Sequence, residues 1–214
     1  MDPENETWGA LRVFNDDIVE RGEGFGKHPH RDMEIVTYVL GGQLEHKDSM
    51  ENVGVVNPGG VQFMSAGTGI THSEDAHSQE RSVHFLQMWI IPGKLHTKPS
   101  YGQAEFADDE RFNKWLRVAS GRSGKAAPLE LTQNAELLVS RLEDFGLPYA
   151  FEPGRLGLIF VPDGEMHIGD ESRDLATIHG GDAVRIDGVA SIDIVGSGLV
   201  LLWDLPQLEG TYEG

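Results

Sequence analysis

The sequence predicts an all-β protein built as two tandem β-barrels, and three observations carry that prediction. Strand-like alternation recurs in short runs. Turn residues punctuate the runs, with 27 Gly and 10 Pro among 214 residues. No long stretch keeps a helical period. Many short strands separated by turns are the signature of a sandwich or barrel.

Taken in order, residues 33–40 (Met-Glu-Ile-Val-Thr-Tyr-Val-Leu) read as a strand ended by Gly41-Gly42, and residues 43–46 as the return strand of a hairpin. Asn57-Pro58-Gly59-Gly60 is a turn before a short strand at 61–64. Residues 83–91 form another strand, stopped by Pro92-Gly93, and the polar stretch 93–112 reads as a long connection. In the second half, strands are expected at 135–140, 156–161, 183–186 and 199–203, with turns at Pro162-Asp163-Gly164 and Gly180-Gly181-Asp182. The halves divide at about 1–105 and 106–214. Short helices are expected near 109–116 and at the C-terminus.

Composition excludes several chemistries. The chain has no Cys, so disulfides, thiolate metal sites and Cys nucleophiles are absent, and any metal must be held by His, Asp or Glu. No apolar run approaches the ~20 residues that span a bilayer. The opening Met-Asp-Pro-Glu-Asn-Glu is acidic and is not a signal peptide, so a cytoplasmic, membrane-free protein is expected. A net charge of −18 and a pI near 4.7 argue against direct nucleic-acid binding. A monomer is expected, because tandem barrels can pack on each other.

The strongest local feature is Gly22-Glu-Gly-Phe-Gly-Lys-His28-Pro-His30-Arg-Asp-Met-Glu34-Ile-Val-Thr-Tyr-Val-Leu-Gly41. On a strand, residues i and i+2 share a face, so His28 and His30 project together, and Glu34 could join them. Pro29 lacks a ladder donor and fits an edge or a strand start. Downstream, Ser65-Ala-Gly-Thr-Gly-Ile-Thr-His72-Ser-Glu74 supplies a second i, i+2 pair, with Gly67 and Gly69 allowing close backbone approach. Three neutral imidazoles and one carboxylate suit Fe, Mn, Co, Ni, Cu or Zn. The first pattern, Gly-x5-His-x-His-x3-Glu-x6-Gly, matches the first cupin motif at Gly22, His28, His30, Glu34 and Gly41. Spacing alone leaves Glu34 and Glu74 both open as the fourth ligand.

Longer motifs carry a closer resemblance. They are Phe14-Asn15-Asp16-Asp17, the run from Gly24 to Leu40, Leu44-Glu45-His46-Lys47-Asp48-Ser49, and the run from Gln62 to Glu74. In these the chain resembles the pirin family, especially its bacterial members, and the match continues more weakly to Leu202-Trp203-Asp204-Leu205-Pro206. The resemblance implies a bicupin. Its N-terminal cupin holds one divalent metal, usually Fe(II), through His28, His30, His72 and Glu74, and its C-terminal cupin lacks ligands. Glu34 would then orient a ligand or relay a proton. The sequence departs from the family at Ala76, where Asn is usual, and in the stretch that normally precedes the Asn-Asp-Asp motif.

Two functions follow from the resemblance. The first is a quercetinase-type dioxygenase, which opens the flavonol heterocycle with O2. Glu74 takes the 3-hydroxyl proton, or Glu34 does if Glu74 is locked on the metal. The second is an iron-dependent redox-sensing module that binds a regulatory protein partner without turnover. An orphan cupin acting on another small enol is a blander option.

The remaining candidates have plainer readings. His46 and Asp48 form a hydrogen-bonded turn or a pair that stands behind the metal ligands, and His84 is a satisfied core or pocket-lining residue. His77 and His96 are solvated. His167 and His179 lack a His-x-His partner, so no second site is expected there. Asn15-Asp16-Asp17 reads as a turn, Gln62 and Met64 as pocket wall or barrel filling, and Trp89, Trp115 and Trp203 as core. Gly22-x-Gly24-x-Gly26 does not open a helix and is not a nucleotide loop.

Overall fold

The structure, a computed structural model, describes residues 7–170 and 173–208. It is all-β as expected, with three sheets. The first has the order β1 (Leu11–Val19), β8 (Val83–Ile90), β3 (Glu34–Gly41), β6 (Val61–Ser65), β9 (Ser100–Ala104). The second runs β2 (Gly24–His30), β7 (Ile70–Ala76), β4 (Leu44–Asp48), β5 (Val53–Val56). The third runs β11 (Leu129–Glu130), β10 (Leu116–Ser120), β12 (Glu136–Ala150), β16 (Ser191–Pro206), β13 (Arg155–Asp170), β14 (Arg173–His179), with β15 (Ala183–Ile186) also on β13. No helix among the described residues is long and apolar enough to cross a membrane.

Strand alternation makes the first sheet two-faced. One face presents Val36, Tyr38, Phe63, Leu86, Met88 and Ile90 to Leu137, Val139, Leu158, Phe160, Leu201 and Trp203 of the third sheet, in one apolar core. Burying each such side chain contributes roughly 1.5–3 kcal/mol. Trp203 is fully buried in this core, and its indole N–H points at Met88 Sδ, 3.0 Å away. The other face gives Ile35 and Met64 to a small cluster with Met33, Ala66 and Ile70, and Val39 and Phe85 to another with Leu44, Val56 and Ala76. The third sheet has its own far-side core around Leu138, Leu142, Ile159, Val161, Ile194 and Leu202. The buried Glu136 and Asp204 there are met by Arg122, Arg155 and the Tyr149 hydroxyl, with Arg117 and Lys125 also on Glu136.

Several local expectations need correction. β3 and β4 are not a hairpin. Gly42, at φ 72°, turns the chain out of the first sheet into the second. Pro162-Asp163-Gly164 does not end a strand. β13 runs through it with a register shift between Phe160 and Asp163, and Gly164 at φ 93° lies so close that a Cβ would sit 2.0 Å from the Ser197 carbonyl oxygen. Asn15-Asp16-Asp17 lies inside β1, not in a turn. The stretch 93–112 contains β9, which pairs with β6. The helix expected near 109–116 reduces to a single 3-10 turn, Asp108–Glu110, and the C-terminal one falls beyond residue 208, outside the described residues.

Candidate metal centre

β2 and β7 pair antiparallel with His28 directly opposite His72, which is how two motifs distant in sequence meet. β2 is the edge strand of its sheet, so Pro29 removes no ladder bond that a neighbour requires. His28, His30 and His72 each offer a ring nitrogen, all within 4.8 Å of one another. His28 Nδ1–H donates to the Gly26 carbonyl at 2.7 Å, which leaves its Nε2 as a lone pair. That Nε2 lies 3.0 Å from His72 Nε2. Two imidazole nitrogens bound at about 2.1 Å and at right angles to one ion would be about 3.0 Å apart. The donor set therefore fits a divalent ion.

The environment keeps the His30 and His72 rings neutral. Burial, reinforced by His28, depresses His30 to about 4. Burial, with His28, His30 and His46 beside it, depresses His72 to about 3. Neutral imidazole is the metal-binding form. Trp89 is not simply core. It stands edge-on to His30 at 4.9 Å and is one wall of the site.

Glu74 is almost fully buried on β7 and groups with His72 and His46 within the same 4.8 Å reach. Gln62 and Gln87 from the first sheet donate to its two oxygens, the Gln87 bond at 2.6 Å, and Trp89 Nε1 donates to Gln87 at 3.1 Å. Burial raises the Glu74 carboxyl to about 7 against the pull of those two bonds. Gln62 is thus a carboxylate holder, whereas Met64 fills the adjoining apolar cluster.

Glu34 goes elsewhere. β2 ends at His30, Asp32 turns the backbone with φ 46°, and β3 begins at Glu34 in a different sheet, so the two-residue parity from His30 does not carry over. The fully buried Glu34 carboxylate accepts the backbone N–H groups of Thr132 at 2.6 Å and Gln133 at 3.2 Å. Its position corrects the expectation that it faces the histidines: it joins the first half to the second.

His46 and Asp48 are the bonded pair expected, and both side chains are completely buried. His84 is not a core residue: it is partly exposed and bonded to Asp16. His96 is exposed beside Asp32, and His77 is exposed beside Glu45. His167 and His179 lie at the surface against Glu165, and among the described residues neither metal-capable grouping includes them. Gly67, expected to let backbone approach the metal, instead packs its Cα against the Thr97 carbonyl. Next to His30, a cavity of about 340 Å³ opens between Pro29, Arg31, Ser49 and Thr71.

Comparison with known proteins shows what the whole chain is similar to. The model of the family described as Pirin matches residues 1–90. The Escherichia coli protein named quercetin 2,3-dioxygenase is 39% identical over 215 residues, covering 97% of this chain and 87% of that protein. A pirin-like protein of Caulobacter vibrioides is 35% identical over 198 residues, covering 91% and 85%. The crystal structure of the bacterial pirin YhhW of Escherichia coli in complex with nickel(II) superposes with a TM-score of 0.88 at 37% identity, over 97% of this chain and 87% of that one. A quercetin 2,3-dioxygenase of Acinetobacter baumannii shares the fold at a TM-score of 0.77 and 20% identity, over 97% and 72%. With relatives this similar over nearly their whole length, the chain belongs to the pirin family.

Proposed function

We propose that this chain is a mononuclear metal-dependent dioxygenase acting on flavonols such as quercetin. In it, the first half (1–105) carries the ion and the second half (106–214) supports it without binding metal. The observation that carries the reading is the convergence of the His28, His30 and His72 rings, with the buried Glu74 carboxylate within reach of His72 and a cavity beside His30. His28, His30 and His72 would hold the ion with Glu74 completing the set. Iron is favoured by the family resemblance, and Ni, Mn, Co, Cu and Zn suit the same donors. When bound, the ion supplies Lewis acidity and a template that aligns substrate with O2.

The protein groups supply the rest. The cavity beside His30, about 340 Å³, falls within the ~300–1,000 Å³ range of small-molecule sites and is where the substrate would enter, between Pro29 and Thr71. Glu74, the carboxylate nearest the three rings along β7, would accept the 3-hydroxyl proton of a flavonol. Gln62 and Gln87 hold that carboxylate in place. Trp89 closes one side of the site against His30.

The test is a paired measurement on one purified sample: metal content by elemental mass spectrometry and loss of quercetin absorbance in air. One metal per chain with metal-dependent turnover supports the proposal. One metal per chain without turnover replaces it with the redox-sensing interaction module. A metal-free protein with no uptake refutes both.

A further inference from the structure

His46 is completely buried beside the proposed centre, and neither the ligand set nor the proton transfer uses it. We propose that His46 is a positioning residue for His72, fixing that ring so that its Nε2 is the lone pair that faces the ion. The proposal rests on the metal-centre reading above and deepens it.

The argument is one of proton count. His46 Nδ1 lies 3.3 Å from His72 Nδ1, and His46 Nε2 lies 3.3 Å from Asp48 Oδ2. Each neutral imidazole carries one N–H. Asp48 is an acceptor on every side: Oδ1 takes the backbone N–H groups of Met50 at 2.8 Å and Asn52 at 3.0 Å, and Oδ2 takes the Asn52 side-chain amide at 2.8 Å. So His46 must place its proton on Nε2, towards Asp48. Its Nδ1 is then an acceptor, and the proton on His72 must sit on Nδ1. What remains on His72 is the Nε2 lone pair, 3.0 Å from the matching lone pair of His28. The reverse assignment would set the Nε2 lone pair of His46 against the carboxylate.

The relay is rigidly mounted. Tyr101 of β9 stacks on His46 with ring centroids 4.3 Å apart and planes 12° from parallel. Gly54, opposite His46 on β5, makes room for that stack, since a Cβ there would lie 2.3 Å from the Tyr101 hydroxyl. A metal-bound histidine ordinarily donates its second N–H to a carboxylate or a carbonyl. Here a second imidazole is inserted between ligand and carboxylate. The first two sheets thereby brace the same ligand: β4 and β7 supply the two rings, and β9 supplies the stack.

The experiment compares His46→Phe, His46→Gln and Asp48→Asn with the wild type. Ni(II) affinity is measured by competition with a chelating dye, and the Cu(II)-loaded proteins are read by electron spin echo envelope modulation, which senses the remote nitrogen of each bound imidazole. His46→Phe keeps the stack and removes the hydrogen bonds. It should weaken Ni(II) binding about 10–100-fold and change the remote-nitrogen couplings of one imidazole. His46→Gln should recover part of the affinity, because its amide oxygen can accept from His72 Nδ1. In Asp48→Asn the two backbone amides hold Oδ1, so the new amide N–H faces His46 Nε2. The tautomer of His46 reverses, and affinity should fall although the Asp48 side chain reaches the ligand His72 only through His46. Circular dichroism of the metal-free variants checks folding, and if His46→Phe does not fold, the other two variants carry the test. Folded variants with unchanged affinity and unchanged couplings overturn the proposal. Wild-type protein that binds neither ion, or a His28→Ala variant that binds as tightly as wild type, overturns the centre itself and the proposal with it.

Discussion

Glu34→Ala separates a joint from a ligand. In the structure this carboxylate is fully buried and accepts two backbone N–H groups across the boundary between the halves, at 2.6 and 3.2 Å. Truncation leaves both amides buried without their acceptor, and each such orphan costs about 1–3 kcal/mol. Against that, burial outweighs the bonds from Thr132 and Gln133 and raises the Glu34 carboxyl, so an ionised side chain is costly to keep there and its removal returns part of the loss. The net expectation is a loss of about 2–4 kcal/mol, or roughly 4–16 °C in Tm for a chain of this size. The assay is urea unfolding of the metal-free protein, paired with metal content of the protein as isolated. Stability should fall while metal content stays at the wild-type level. A variant that is as stable as wild type but has lost its metal would refute the reasoning and restore Glu34 to the ion.

The other predictions follow the same logic. His28→Ala or His72→Ala should empty the site in elemental analysis, while His167→Ala, at a surface position, should leave metal content unchanged. Gly24→Ala replaces no ligand, yet its Cβ would fall 2.7 Å from the backbone carbonyl oxygen of Glu74 and 2.8 Å from the Asp75 Cα. It should push β2 off β7 at a cost of about 1–3 kcal/mol and weaken Ni(II) binding by separating His28 from His72. Glu136 supplies a pH test: burial raises its carboxyl, but bonds from Arg117, Lys125 and Tyr149 outweigh this and leave it below the usual 4.5. A depressed acid contributes stability that is present above about pH 4.5 and is lost as pH falls through the folded-state value. Urea midpoints should therefore drop more steeply below that pH for wild type than for Glu136→Gln, and parallel slopes would contradict the assignment. Trp203→Ala should cost about 3–5 kcal/mol in guanidinium unfolding, since the indole is fully buried between the halves.

The sequence showed the strands clearly where alternation was strong, as at Glu34–Gly41 and Val83–Ile90, and it showed His28, His30 and His72 as a convergent set. It failed where period-two reasoning crossed a break. Glu34 shares parity with His30 only if the strand is continuous, and the Asp32 turn removes that continuity. Strand partners were equally hidden: Gly41-Gly42 reads as a hairpin turn, but nothing local says that the chain changes sheets there. Gln62 and Gln87 were legible only as polar residues inside apolar strands, because their partner, Glu74, comes from another sheet. That pattern, a glutamine among Val and Phe, is the signal that could have pointed to a buried charge.

The two-faced first sheet bears on how far this protein can be cut down. Its back presents Val36, Tyr38, Phe63, Leu86, Met88 and Ile90 to the third sheet. Freed from that cover, these side chains would form an apolar patch of the kind that drives aggregation. A fragment ending near residue 105 would keep every histidine of the centre and still lack a wall. The third sheet therefore acts as the solvent-excluding partner of the first, and cutting the chain between the halves is expected to cost the first half its fold.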